Sequence, residues 1–362
     1  MDRFAFSTAQ AIFVADDQAQ QDRRRNAVTH YGFHHEFCCD KAEGAIVSIA
    51  ARNIYRLYLN GAMVMHGPAR TAHGYARVDV VEIGQHLIEG RNSIAVEVIA
   101  YSGAFMKEYS NDCTLEPGML TVEVKADGKI LSATGLDDWR VCRLNERLPR
   151  AERRSHSGEC SEICRIAPNR TAWRWGKGDG FVPAVKLGQE PVYLPRRSLL
   201  PTLEKHTAQD IIGFGGCKID AQMKIKPEFW NMDAFNTEGY YAALPVHAVE
   251  ECRRTVEDED CGFIEARRTV SGEILLGGEA DKYLLLDMGE NRVGFAGVDI
   301  TAQNAGVVDI LHTESLEPDG AFAYPYNIVT RICIPAGRTA FNLHSFAATV
   351  RSTRCMLRQK RR

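Results

Sequence analysis

The stretch YRLYLNGAMVMHGPARTAHGYARVDV, residues 55–80, decides the fold. Tyr55, Leu57 and Leu59 alternate with Arg56, Tyr58 and Asn60, the period of a half-buried strand. Asn60-Gly61 follows at once. A tight turn between antiparallel strands needs positive φ at both central positions, and Asn-Gly tolerates this best. The pair predicts a β-hairpin, with its second strand over 62–67. HGPAR then reads as a loop: Pro68 fixes a turn, and Gly67 and Gly74 supply the backbone freedom to make it. YARVDV opens another strand near 75.

The same pattern extends outward in both directions. Strands are predicted near 11–16, 32–39, 45–51, 93–101, 118–125 and 129–134, the last two joined by Ala126-Asp127-Gly128. VEIGQHLIEG, 81–90, fits a short helix or an irregular crossing. In the second half FIEARRTV, GEILLGG, KYLLLDMG, RVGFAGVDITAQ, GVVDILHTESL and VTRICIPAG continue the strand signal. No long amphipathic helix and no internal repeat interrupts it. The predicted fold class is all-β: two antiparallel β-sandwich domains, jelly-roll or galactose-binding-like, in tandem. PVYLPRRSLLPTLEKH, 191–206, carries three prolines, which resist both helix and central strand. The expected division is a first sandwich over 1–190, a Pro-rich linker over 191–210 and a second sandwich over 211–362.

Bulk properties exclude several functions. The 362 residues carry a net charge of −3, so electrostatic attraction to nucleic acid or to an anionic membrane is not expected. No apolar run is long enough to span a bilayer. The N-terminus, MDRFAFSTAQAIFVADDQAQ, lacks the apolar core of a signal peptide, so a cytoplasmic location is expected. Eleven cysteines at irregular spacings, with no CxxC pair, predict reduced thiols.

FHHEFCC, 33–39, mixes zinc-ligand types, but strand alternation sends Phe33, His35, Phe37 and Cys39 to one face and His34, Glu36 and Cys38 to the other. A plain strand with two buried thiols is expected, and neither metal nor any other cofactor. IIGFGGCKID, 211–220, lacks the spacing of a dinucleotide fingerprint. The terminal RQKRR reads as a solvated end. No GxSxG, HExxH or P-loop is present. Trp173 and Trp175 in WRWGKGDG fall on one strand face or on a loop. Paired aromatics stack on the apolar face of a sugar ring; core packing is the competing expectation. Tyr324 and Tyr326 in AYPYN are the next aromatic candidates. Glu290, Glu314 and Asp319 form no recognisable acid–base pair.

ARNIYRLYLNGAMVMHGPAR, YARVDV and LIEGRNSIAVEVIAY together resemble the N-terminal sandwich of bacterial α-L-rhamnosidases. SEICRIAPNRTAW and VYLPRRSLLPTLEK are similar to that family's "E-x-x-D-A-R…W" and "L-x-P-R-x-I-P-x-L-x-E" stretches. LLLDMGENRVGFAGVDI and GVVDILHTESLEPDGAF resemble its second sandwich. The match runs from about residue 10 to about residue 345. Two departures stand out. Cys164 occupies the position of the family's Asp. In addition, the helical barrel that carries the family's catalytic carboxylates needs at least roughly 200 residues, far more than follow Phe346.

The resemblance therefore implies the non-catalytic sandwich portion of a rhamnosidase-like glycoside hydrolase, truncated before its barrel. The parent activity would be inverting hydrolysis of terminal α-L-rhamnosides. No catalytic residue can be carried onto this chain. A stand-alone carbohydrate-binding module, or a scaffold pairing with a separate catalytic helical barrel, are the alternatives. A rhamnose-containing glycan is the expected partner.

Overall fold

The computed structural model of the chain describes residues 2–15, 28–52, 54–72, 74–101, 118–147, 162–216, 224–225, 242–243, 265–268, 274–277, 282–290, 294–313, 329–342 and 354–361. Among the described residues the architecture is all-β, with two short 3-10 turns at Gly84–His86 and Ala172–Trp175. Two compact units divide it: residues 1–145 with 169–204, and residues 146–168 with 205–362.

The first unit is a sandwich of two sheets. One runs in the order Val185–Lys186, Ile12–Phe13, Leu120–Ala126, Ile46–Ala51, Tyr75–Glu82, Val192–Pro195, with Lys129–Ala133 also on Leu120–Ala126. The other runs Val182–Pro183, Arg140–Leu144, Val28–Cys39, Gly90–Tyr101, Tyr55–Leu59, Ala62–Gly67. Alternation builds the core. Val47, Ile49 and Ala51 face Phe33, Leu57, Leu59, Val96 and Val98 from the opposite sheet, all of them buried. At about 25 cal/mol per Å2 of apolar surface, this interior is the principal source of stability.

The hairpin forms as its sequence predicts. Tyr55–Leu59 pairs with Ala62–Gly67, and the turn residues Asn60 and Gly61 have φ of 48° and 79°. Asp127 and Gly128 repeat the device at 50° and 73°. Gly67 serves a different purpose from the one its loop suggests. It is absent from the positive-φ residues. A Cβ there would collide with the Asp79 carboxylate and the Tyr55 ring. The glycine makes space, and Gly74, at φ 78°, makes the bend.

Val192–Pro195, inside the Pro-rich stretch, is a strand paired in parallel with Tyr75–Val78. It lies at the edge of its sheet, where a residue without an N–H is tolerated.

In the second unit one six-stranded sheet runs Ile163–Arg165, Val329–Ile334, Gly306–Thr313, Arg354–Arg361, Lys282–Asp287, Asp210–Gly216. Its Val308, Ile310, Ile332, Ile334 and Cys164 pack with Val298, Ile300 and Ala302 of the Gly297–Ala302/Gly337–Asn342 pair. The other face buries an ion pair: Arg331 Nε and Nη2 donate to the two Asp309 oxygens at 2.7 and 2.8 Å. The basic segment read as a solvated end is instead an internal strand. Arg354–Arg361 pairs with Gly306–Thr313 on one side and Lys282–Asp287 on the other. Those partners are distant in sequence, so local charge gave no hint of them.

Candidate functional site

The segment 169–181 crosses the outer face of the second sheet and carries both candidate tryptophans. It is neither strand nor open loop at that point: Ala172–Trp175 is a 3-10 turn closed by Gly176 in the left-handed region, φ 63°. Gly176 and Lys177 return their N–H groups to the carbonyls of Trp173 and Ala172, at 3.0 and 3.1 Å. With three residues per turn, positions two apart are rotated by about 240° and so point about 120° away from each other. The two indoles therefore share a turn but not a surface.

Trp173 points inward. Its ring lies over Gly32, where any Cβ would meet it, and stands edge-on to Tyr58 with centroids 5.7 Å apart. Ala95 and Cys142 complete this buried cluster. Trp175 points outward, 45% exposed, with its ring against the hairpin glycine Gly61. Between them the Arg174 guanidinium lies 3.9 Å from the centre of the Tyr58 ring, a cation–π contact. The outward indole thus rests on a braced turn rather than on a free loop.

Hydrogen bonding fixes the turn to the sheet. The Ser93 hydroxyl donates to the Arg174 carbonyl at 2.7 Å and lies 3.1 Å from His34 Nε2. A hydroxyl has one proton, so His34 is the donor to Ser93 and carries its hydrogen on Nε2. Burial, then the nearby Arg140 and His35, push the imidazole down to about 4, so it stays neutral.

Three other polar groups are candidates for chemistry. Asp138 Oδ1, His35 and Ser132 Oγ form a chain with contacts of 3.2 and 2.9 Å, the order of a nucleophile relay. Ser132 is fully buried, so no substrate reaches its hydroxyl. Glu123 accepts from the backbone N–H groups of Ser7, Thr8 and Ala9 and from Lys125. Burial opposes its charge, but Lys125 and the three N–H groups outweigh that and hold the carboxyl near 2. Asp79, fully buried, accepts from Tyr55 at 2.5 Å and from Arg196 at 2.8 Å. Each carboxylate is tied to fixed donors, an arrangement that suits structure rather than proton transfer.

In FHHEFCC the alternation holds, and Cys39 is buried. Cys38, expected to be buried as well, is exposed, because it takes the solvent-facing phase of the strand. Cys38, Cys39, Cys142, Cys164 and Cys333 are free thiols. Among the described residues no group of three or more His, Cys, Asp or Glu is placed to hold a metal ion. No helix among them is long and apolar enough to cross a membrane. Glu314, Asp319, Tyr324 and Tyr326 lie outside the described residues.

No protein-family model matches the sequence, and no curated protein matches it. Solved structures do match. A GH78 family rhamnosidase of Bacillus sp. GL1 superposes with a TM-score of 0.68 at 15% identity, over 99% of this chain and 54% of that one. The α-L-rhamnosidase of Dictyoglumus thermophilum gives 0.51 at 15% identity, over 96% of this chain and 33% of that one. The Aspergillus terreus α-L-rhamnosidase gives 0.50 at 13% identity, over 96% and 34%. The chain thus spans about half the length of the Bacillus enzyme and about a third of the other two. Along nearly all of its length, this chain has the fold of a corresponding portion of the α-L-rhamnosidases.

Proposed function

We propose that the chain is the non-catalytic β-sandwich part of an α-L-rhamnosidase-like glycoside hydrolase. The observation that carries this reading is the fold it shares, over 99% of its length, with 54% of a GH78 rhamnosidase. Inverting hydrolysis of terminal α-L-rhamnosides would belong to a catalytic helical barrel outside this chain. Such hydrolysis needs an acid and a base about 6.5–9.5 Å apart with room for a water. The buried pairing of Asp79, Glu123 and Asp309 supports a structural role for those carboxylates.

The role assigned to the chain itself is to scaffold the barrel and to touch the glycan weakly. Trp175 is the proposed sugar platform, with Trp173 as the buried brace of its turn. Tyr324 and Tyr326 remain the second proposed aromatic pair. A stand-alone carbohydrate-binding module is the second reading, favoured by the outward indole on a fixed turn. The free thiols support a reducing, cytoplasmic setting.

The test is a pair of measurements on the pure chain. Incubation with an aryl α-L-rhamnoside should release no phenol above background. Titration with L-rhamnose and its glycosides should give dissociation constants of about a millimolar, near −4 kcal/mol. Turnover by the chain alone would overturn the non-catalytic assignment. Binding unchanged in Trp175→Ala would remove Trp175 from the site.

A further inference from the structure

Beyond the edge strand Val192–Pro195 the backbone has no regular structure until Asp210. Leu199, Leu200 and Leu203 are exposed there, Leu199 by 93%. Such a strap has little to hold it. Its root is nevertheless fixed in detail. Val192 N–H donates to the Gly74 carbonyl and Arg196 N–H to that of Val78, each at 3.0 Å. Arg77 Nη1 donates to the Pro195 carbonyl at 2.9 Å.

Arg196 then turns inward. Its Nη1 lies 2.8 Å from Asp79 Oδ1, while its Nε donates to the carbonyls of Ser198 and Leu199, both at 3.2 Å. One guanidinium therefore grips a buried carboxylate and curls the next residues of the strap around itself. The other Asp79 oxygen is held by Tyr55 of the opposite sheet.

Asp79 sits on the inward phase of its strand, with Ile49 as its cross-strand partner. A buried ion pair at such a site generally adds less stability than well-packed apolar side chains would. What the carboxylate does provide is a directional anchor that an apolar residue lacks. We propose that Tyr55, Asp79 and Arg196 form a latch for the strap 192–204. The latch sets the path of the strap, and opening it frees the strap while both sheets of the sandwich persist.

The experiment is amide hydrogen exchange on the whole chain. Arg196→Met keeps the aliphatic stem and removes the grip. Exchange at the hydrogen-bonded Val192 and Arg196 amides should rise by about tenfold or more, while Tyr55–Leu59 and Ile46–Ala51 exchange as before. Asp79→Asn should give the same local pattern from the other side of the pair. Wild-type exchange at the backbone amides of positions 192 and 196 in Arg196→Met overturns the proposal. So does a rise spread equally over both sheets, because the contact is then ordinary core packing. Arg196 lies at the rim, its side chain 14% exposed, so this variant reports even where Asp79→Asn fails to fold.

Discussion

Tyr55 and Asp79 meet across the interior of the first sandwich: a phenol from one sheet donates to a carboxylate of the other at 2.5 Å. Burial lifts the Asp79 carboxyl above its ordinary range, and Arg196 and Tyr55 pull it part of the way back. Burial, and then the Asp79 charge, raise the Tyr55 phenol well above its usual value. Tyr55→Phe removes one donor from a buried acceptor and should cost about 1–3 kcal/mol. Urea denaturation followed by tryptophan fluorescence measures it. A loss below the noise of that measurement would mean that a water replaces the phenol.

Acid should destabilise the chain through its buried histidines. His34 is held near 4 and His66 near 3, the latter by burial, then Arg56 and Arg196. Both sit below their unfolded value of 6.5. Between those limits the unfolded chain binds more protons, so stability falls as pH drops from 6.5 toward 3 and is fully present above 6.5. Melting temperature against pH is the readout. His34→Gln should flatten the curve between 6.5 and 4 and run parallel to the parent above pH 7.

Glu123→Gln should loosen the N-terminal segment. The carboxylate holds three consecutive backbone N–H groups, at 3.1, 2.7 and 3.1 Å, and the amide keeps one acceptor oxygen in place of two. A loss of about 1–3 kcal/mol is expected at neutral pH. Because the parent carboxyl titrates near 2 when folded, and at 4.5 otherwise, the parent's advantage should shrink as pH falls from 4.5 to 2. Faster exchange at Ser7–Ala9 would accompany it.

The two tryptophans should separate in mutation. Trp173→Ala empties a buried cluster and should cost about 3–5 kcal/mol. Trp175→Ala removes an exposed ring and should stay within about 0.5 kcal/mol, while weakening any rhamnoside binding. Thermal melts and calorimetric titration of both variants decide it. Equal destabilisation would contradict the inward and outward assignment of the two rings.

Local chemistry made much of this fold legible. Asn60-Gly61 and Asp127-Gly128 announce their hairpins because few residues tolerate positive φ in succession. The alternation of Tyr55–Leu59 and Ile46–Ala51 likewise announces which side is buried. What escaped depended on distant partners. RQKRR looks like a charged tail until the sheet neighbours of the strand Arg354–Arg361 are known. Trp173 and Trp175 look paired only on a strand, and a 3-10 turn separates them. Asp79 carried an overlooked signal, a lone acid on the inward phase of YARVDV. Its partner Arg196 lies 117 positions away, which no local pattern reveals.

The first unit is discontinuous along the chain: residues 146–168 leave it, give the strand Ile163–Arg165 to the second unit, and residues 169–204 return. No single cut in the polypeptide can therefore part the two units cleanly. A break just after Asn145 strips the first unit of Trp173 and of the edge strand Val192–Pro195. A break near Glu204 leaves Ile163 and Cys164, both buried, without the sheet that covers them. Any gene rearrangement that shuffled one sandwich without the other would have to make three breaks, so the pair is expected to travel through evolution as one piece.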